Sequence, residues 1–197
     1  MTRRTRVTAW LAAALVALGL SAAVAYMLTR NQPGGIADIG GPIDLASMNG
    51  GRFTDADIGG KPYAIFFGFT RCPNVCPTTL SDLTLDLDQL GPLADKIQVV
   101  FVSVDPDRDT PATMKEYLSA FDPRIMGVTG TPDEIAAIAK DYRVFYRKVP
   151  TDSGDYTMDH TASVYLMNAK GHFVGTLAFE ENRDTQLAKL KKLAENG

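Results

Sequence analysis

Two continuous apolar runs dominate the hydrophobic pattern of the chain. Residues 63–69 and 97–104 are almost wholly aliphatic or aromatic, which is typical of strands buried on both faces of a sheet. Between them, residues 77–90 repeat leucine at helical spacing, at Leu80, Leu83, Leu87 and Leu90. This strand–helix–strand order predicts an α/β domain with a central sheet covered by helices on both faces.

Capping and turn residues extend the prediction along the chain. Thr131 and Glu134 form a capping box that starts a helix running to about residue 141, and Thr110-Pro111 starts another. The remaining predictions are an early hairpin turn at 49–50, a strand over 143–149, a polar loop over 150–159, a closing hairpin of 162–167 and 172–179, and a terminal helix over 185–194.

The first thirty residues differ from the rest. Residues 7–28 carry no charge, and 22 helical residues span about 33 Å, enough to cross a bilayer core. Arginines before this run favour a cytoplasmic N-terminus, although Ala23-Val24-Ala25 also suits a cleaved signal peptide. We therefore predict an anchor or signal peptide over 1–28, a linker over 29–41, and an exported domain over 42–197 on the periplasmic side of the inner membrane.

Charge and cysteine content narrow the function. Four of the 20 basic residues and none of the 23 acidic residues lie in the first 30, so the remainder of this 197-residue chain has a net charge of −7. An acidic domain argues against a nucleic-acid partner, which requires a basic face. Two cysteines are too few for a disulfide framework or a four-thiolate zinc site.

The cysteines, Cys72 and Cys76, follow the first buried strand and lie where the next helix begins. Free N–H groups at a helix start stabilise a thiolate, and Arg71 adds a cation, so we expect at least one thiol to ionise easily. With three residues between them, the two sulfurs can form a structural disulfide, act as a redox couple, or share one metal ion.

A metal site would need a third ligand, and the exported domain offers two histidines. His160 follows the polar loop and precedes a strand, so it can reach the cysteine loop, although a structural role is the default for a lone histidine. His172 lies in a hairpin turn and is expected to be exposed. Two thiolates and an imidazole form a soft, three-ligand set, which favours copper over structural zinc.

Three segments together resemble the Sco/SenC family. They are YAIFFGFTRCPNVCP at 63–77, SVDPDRDTP at 103–111, and Asp159-His160-Thr161, in that order behind an N-terminal anchor. The resemblance implies a thioredoxin-like fold and copper ligands at Cys72, Cys76 and His160. Asn74 stands where many relatives carry an acidic residue. Asp109-Thr110-Pro111 reads either as a helix start or as part of a rim facing a partner.

The resemblance also implies a function. The protein is expected to be a membrane-tethered copper metallochaperone that delivers copper to, or prepares, the CuA centre of cytochrome c oxidase subunit II. Other periplasmic copper chaperones or thiol reductants are the expected additional partners. The alternative is a thiol–disulfide oxidoreductase in which Cys72 and Cys76 reduce cysteines of the oxidase subunit or of another exported protein. In the copper reading, metal capture is expected to order residues 150–160.

Overall fold

A computed structural model describes Trp10 and residues 18–21, 39–152 and 154–197. The chain divides into two units, residues 1–36 and 37–197. In the first, Trp10 and residues 18–21 are helical. Within the described residues, no helix has the length and apolar character needed to cross a membrane. The anchor or signal peptide predicted for 1–28 falls mostly outside these residues, and so does most of the linker.

The second unit contains nine strands and five helices among its described residues. The strands are β1 (Asp44–Ser47), β2 (Arg52–Thr54), β3 (Tyr63–Gly68), β4 (Gln98–Ser103), β5 (Ile125–Thr129), β6 (Tyr146–Pro150), β7 (Tyr156–His160), β8 (Val164–Met167) and β9 (Phe173–Leu177). The helices are α1 (Asp55–Ile58), α2 (Val75–Leu90), α3 (Pro111–Leu118), α4 (Pro132–Asp141) and α5 (Arg183–Asn196), and a 3₁₀ segment, Gly91–Lys96, follows α2.

Seven strands form one mixed sheet in the order β2-β1-β5-β4-β3-β8-β9. Strands β3, β4 and β5 are parallel, whereas β8 pairs antiparallel with β3, and β9 with β8. The order β4-β3-β8-β9, with two parallel strands followed by an antiparallel hairpin, is the core of the thioredoxin fold. The predicted α/β class with a central sheet is therefore confirmed, and the sheet is mixed. Strands β6 and β7 form a separate hairpin.

Aromatic side chains of β3 divide the core into two faces. Phe66 packs against Phe101 of β4, whose ring contacts Tyr117 of α3, and Phe67 points the other way onto Tyr142 at the end of α4. Every residue of β3 is buried, as expected for a strand covered on both sides. The carboxyl end of this strand delivers the cysteine loop.

Two strands differ from the sequence prediction, and the short helix α1 and the 3₁₀ segment were not predicted. Strand β5 was not predicted. The predicted loop over 150–159 is wrong for its second half, because Tyr156–His160 is a strand paired with Tyr146–Pro150. Its residues alternate, with Met158 buried between the exposed Asp159 and the half-buried Thr157, which is the period-two pattern of a strand. The second half of the segment expected to become ordered on metal capture, Tyr156–His160, is therefore already a strand here.

Candidate metal centre

The cysteine loop leaves the central strand and enters a helix within six residues. Strand β3 ends at Gly68, and the first turn of α2 begins at Val75. Cys76 lies in that first turn and is fully buried, whereas Cys72 lies in the loop and is partly exposed. The first N–H groups of a helix have no partner within the helix, and the N–H of Cys76 donates to the Cys72 sulfur across 3.3 Å.

A buried acidic residue fastens this loop to the sheet. Asp109 accepts hydrogen bonds from the backbone N–H of Thr70 at 2.9 Å, from the Thr70 hydroxyl at 2.6 Å, and from the Ser103 hydroxyl at 2.6 Å. Only 1% of Asp109 is exposed, so its role is structural and it forms no part of an accessible rim. Thr110 begins α3 as predicted, since its side chain accepts from the N–H of Thr113.

His160 reaches the thiols from the other side, as the last residue of β7. Its Nδ1 lies 2.9 Å from the carbonyl oxygen of Thr161, so a proton on Nδ1 donates there and Nε2 keeps a free lone pair. The imidazole packs at a steep angle against the rings of Phe69 and Phe66, with centroids 5.7 and 6.3 Å away. These contacts hold the ring with Nε2 facing Cys76.

The structure brings the three sequence-predicted ligands together. Nε2 of His160 lies 3.5 Å from the Cys76 sulfur, and donor atoms of Cys72, Cys76 and His160 all lie within 4.8 Å of one another. Metal–thiolate and metal–imidazole bonds of about 2.0–2.3 Å place donors on one ion up to about 4.6 Å apart, so this set fits a single ion with slight adjustment. His172 is exposed, as predicted, and lies outside the group.

The two thiols have opposite acid–base character. The thiol of Cys76 donates a hydrogen bond to the Cys72 sulfur, and the backbone N–H groups of Cys76 and Asn74 add to its effect. Together they lower the pKa of Cys72 well below its ordinary value. The same hydrogen bond, together with burial, raises the pKa of Cys76. The expected easily ionised thiol is Cys72. Arg71 is directed elsewhere, since its guanidinium pairs with Asp155 at 3.7 Å.

This asymmetry predicts that Cys72 remains reactive in mild acid. A thiol with an ordinary pKa of about 8.5 loses nearly two orders of magnitude in thiolate between pH 8 and pH 6, whereas a thiol with a strongly lowered pKa loses almost none. In the reduced, metal-free protein, iodoacetamide should alkylate Cys72 at rates within about twofold at the two pH values. Peptide mass spectrometry would identify the modified cysteine.

The control for this experiment is Cys76→Ala, which removes the neighbouring thiol donor. Its Cys72 should regain part of the ordinary pH dependence. If Cys72 of the unaltered protein slowed as steeply as a free cysteine, the proposed stabilisation of its thiolate would be wrong.

One side of the cluster opens to solvent through a shallow depression of about 240 Å³. Its walls are the cysteine loop on one side, including Pro73 and Asn74, and strand β7 on the other. Pro73 and Asn74 are exposed, so a second molecule can approach the Cys72 side of the cluster. Phe69 also lines this depression, whereas Cys76 and Phe66 are fully buried.

Sequence reasoning missed the residues that shape this centre without coordinating. Gly68 is one, because a Cβ there would lie 2.7 Å from both the Cys76 sulfur and the Phe101 ring. The sequence feature that could have identified Gly68 is a glycine between two aromatic residues, Phe67 and Phe69, directly before the cysteine loop. Phe66 and Phe69, which pack on the imidazole, belong to a run interpreted only as core.

Comparison with known proteins identifies the family. The SCO1/SenC family model matches residues 31–195, which is most of the chain. The chain belongs to the SCO1/SenC family. This Sco-family protein is 38% identical over 166 residues to the mitochondrial protein SCO2 of Saccharomyces cerevisiae, an alignment covering 82% of this chain and 55% of the yeast protein. The chain thus spans about half the length of the curated relatives that it matches first.

Several solved structures similar to this Sco-family protein have copper bound. Bradyrhizobium japonicum ScoI with copper bound is 51% identical, with a TM-score of 0.73, covering 79% of this chain and 99% of the other. Yeast Sco1 with copper bound is 39% identical, with a TM-score of 0.73, covering 81% of this chain and 90% of the other. The sequence resemblance to the Sco/SenC family is therefore confirmed.

Proposed function

We propose that this Sco-family protein is a copper metallochaperone, which delivers copper to, or prepares, the CuA centre of cytochrome c oxidase subunit II. The observation that carries the proposal is the convergence of two sulfurs and one imidazole nitrogen within 4.8 Å. Thiolates select soft ions such as Cu(I), and imidazole binds copper in both oxidation states. The copper-bound relatives support the same cargo.

The geometry suits transfer as well as capture. Three protein ligands leave copper without a closed fourth position, and the depression beside Cys72 admits a donor from another protein. An incoming thiolate or imidazole can then bind before a ligand of this chain leaves, so the ion is never free. A four-ligand site enclosed by protein would resist such exchange.

We further propose that the domain works on the periplasmic side of the inner membrane, tethered by residues 7–28. The uncharged length of that segment and the preceding arginines support this proposal. A tether would place the domain near membrane-bound oxidase. Other periplasmic copper chaperones or thiol reductants would load copper or keep the thiols reduced.

The test is a Cu(I) titration of the reduced, full-length protein in detergent, in competition with a chromophoric chelator. The unaltered protein should bind one equivalent. Cys72→Ser and Cys76→Ser should lose tight copper binding. Removing a residue that only supports a ligand lowers metal affinity about 10–100-fold, and His160→Ala should lower it by more than that. His172→Ala, the matched histidine control, should bind like the unaltered protein. Unchanged affinity in His160→Ala would refute the ligand assignment.

A second function, thiol–disulfide exchange, is favoured by the arrangement of the cysteines. Cys72 is partly exposed with a lowered pKa, and Cys76 is buried beside it, as expected for an attacking and a resolving thiol. The Cys72 thiolate would attack a target disulfide to form a mixed disulfide. Cys76 would then displace the target as a dithiol, and two electrons would leave this protein as it forms its own disulfide.

The two functions separate at His160, which copper binding requires and disulfide exchange does not. If a His160→Ala strain assembled active oxidase while both cysteine variants failed, the oxidoreductase would be the main function. Failure of all three variants, with His172→Ala unaffected, supports the metallochaperone.

A further inference from the structure

The hairpin that carries His160 needs support from outside itself. Within the residues that the structure describes, β6 and β7 pair with each other and stand apart from the seven-stranded sheet. A two-stranded hairpin alone is marginally stable in water. Its base is tied by two hydrogen bonds of 3.0 Å, from the N–H of Thr161 to the Phe145 carbonyl and from the N–H of Phe145 to the Thr161 hydroxyl oxygen. His160 adjoins this base.

Arg108 holds the opposite end of β7. Its guanidinium lies over the Tyr156 ring, 3.6 Å from the centroid, and its Nη1 donates to the Tyr156 carbonyl at 2.9 Å. The same nitrogen lies 3.3 Å from the carboxylate of Asp155. Tyr156 is four residues before His160, about 13 Å along a strand. The hairpin is thus fixed at both ends, with His160 at one and Arg108 at the other.

Asp105 in turn fixes Arg108. Its side chain is fully buried, accepts from Nε of Arg108, and accepts from the Tyr156 hydroxyl at 2.8 Å. Its backbone N–H donates to the hydroxyl oxygen of Ser103, the last residue of β4, at 3.0 Å. The anchor is therefore rooted in a central strand. Only 11% of the Arg108 side chain is exposed, so this contact is far better shielded from water than an ordinary surface ion pair.

One short turn therefore holds both halves of the metal centre. Residues 105–109 connect β4 to α3, with Asp105 and Arg108 fastening the histidine hairpin and Asp109 fastening the cysteine loop through Thr70. We propose that Arg108 is a positioning residue for the copper site, which sets where the His160 imidazole stands relative to the two thiols. This inference rests on the proposed function, because it concerns the geometry in which that copper is bound.

Loss of Arg108 should act locally. Without the guanidinium, the hairpin keeps its base but not its far end, and the imidazole samples positions away from Cys76. We expect Arg108→Gln to weaken Cu(I) binding about 10–100-fold, the range seen when a residue supporting a ligand is removed. Arg108→Lys should bind Cu(I) nearly as weakly as Arg108→Gln, because lysine lacks the planar group that stacks on Tyr156 while donating to its carbonyl.

The experiment combines amide hydrogen exchange of the metal-free, full-length protein with Cu(I) competition by a chelator. In Arg108→Gln, exchange in β6 and β7 should rise at least about tenfold while β3 and β4 stay protected. Tyr156→Phe removes only the hydroxyl bond to Asp105 and is the milder variant, which tests the hairpin even if Arg108→Gln should not fold. It should raise hairpin exchange about fivefold. The thiolate-to-copper absorption of the Cu(II) form should change in both variants.

Two control variants match the change. Asp107→Asn, in the same turn, breaks the exposed ion pair of Asp107 with Lys148 of the hairpin and should have little effect. Arg124→Gln removes an arginine paired with the largely buried Asp122, away from the site, and should lower stability without altering copper affinity or the spectrum.

The outcomes are distinct. Local loosening of the hairpin with weaker copper binding supports the proposal. Three results would overturn it: faster exchange throughout the domain in Arg108→Gln, an equally large effect of Asp107→Asn on the hairpin, or a loosened hairpin with unchanged copper affinity. Failure of the unaltered protein to bind copper would instead refute the proposed function, and hydrogen exchange would still show whether Arg108 holds the hairpin.

Discussion

Replacing Asp109 with alanine is expected to lower the free energy of unfolding by about 3–5 kcal/mol and to weaken copper binding. Asp109 accepts three hydrogen bonds while only 1% exposed, and a buried donor left without an acceptor costs about 1–3 kcal/mol. Alanine leaves the N–H of Thr70 and the hydroxyl of Ser103 with no acceptor from this side chain. Denaturant unfolding of the metal-free protein would measure the loss.

The matched variant is Asp109→Asn, which keeps the shape and one oxygen. That oxygen can replace Oδ2, which accepts from both Thr70 N–H and Ser103, and the new amide can donate to the Thr70 hydroxyl once it turns to accept. Asparagine should therefore lose less than half as much stability as alanine. A loss below about 1 kcal/mol for alanine, the value of one ordinary hydrogen bond, would contradict this account.

Strong local signals explain which elements could be predicted from sequence. The capping box at Thr131 and Glu134 is present, with Thr131 donating its N–H to Glu134 and accepting from the N–H of Glu134. Strands β3 and β4 occupy the predicted apolar runs because burial on both faces removes any need for alternation. In these segments, propensity, capping and burial favour the same structure.

The two missed strands lacked a signal of that strength. Strand β5 has only five residues and contains Gly127, where a side chain would meet Leu118 of α3 at 2.5 Å. Its strand structure follows from pairing with β4 and β1, which are distant in sequence. Strand β7 carries polar residues because only Met158 is buried, and it forms by pairing with β6. Tertiary partners therefore decided both segments.

In the metal centre, likewise, some residues could be predicted from sequence and others could not. Cys72, Cys76 and His160 could be found because soft ligands are rare residue types and the family motifs contain them. The residues that orient them could not, since Arg108 and Asp109 act through partners 48 and 39 positions away. The motif SVDPDRDTP identified the segment as a family feature, but it did not show that side chains of this segment contact both the cysteine loop and the hairpin of His160. Only the fold brings these contacts together.

Gly68→Ala is expected to lower stability by about 1–3 kcal/mol, the usual range for overpacking a core, and also to disrupt copper binding. The added methyl would lie 2.7 Å from the Cys76 sulfur and 2.7 Å from the Phe101 ring, so one of them has to move. Phe101 is buried between Phe66 and Tyr117, so the sulfur must shift away from Nε2 of His160. Denaturant unfolding and Cu(I) competition would measure the two effects.

The control is Gly127→Ala, which overpacks the next but one strand against Leu118, Met48 and Met114. Both variants should unfold at lower denaturant, but only Gly68→Ala should lose copper affinity by more than about tenfold, because only its methyl meets a ligand. Equal affinities in the two variants would mean that the sulfur of Cys76 adapts to the added volume. The glycine before the cysteine loop would then serve packing alone, and copper binding would tolerate displacement of its buried thiolate.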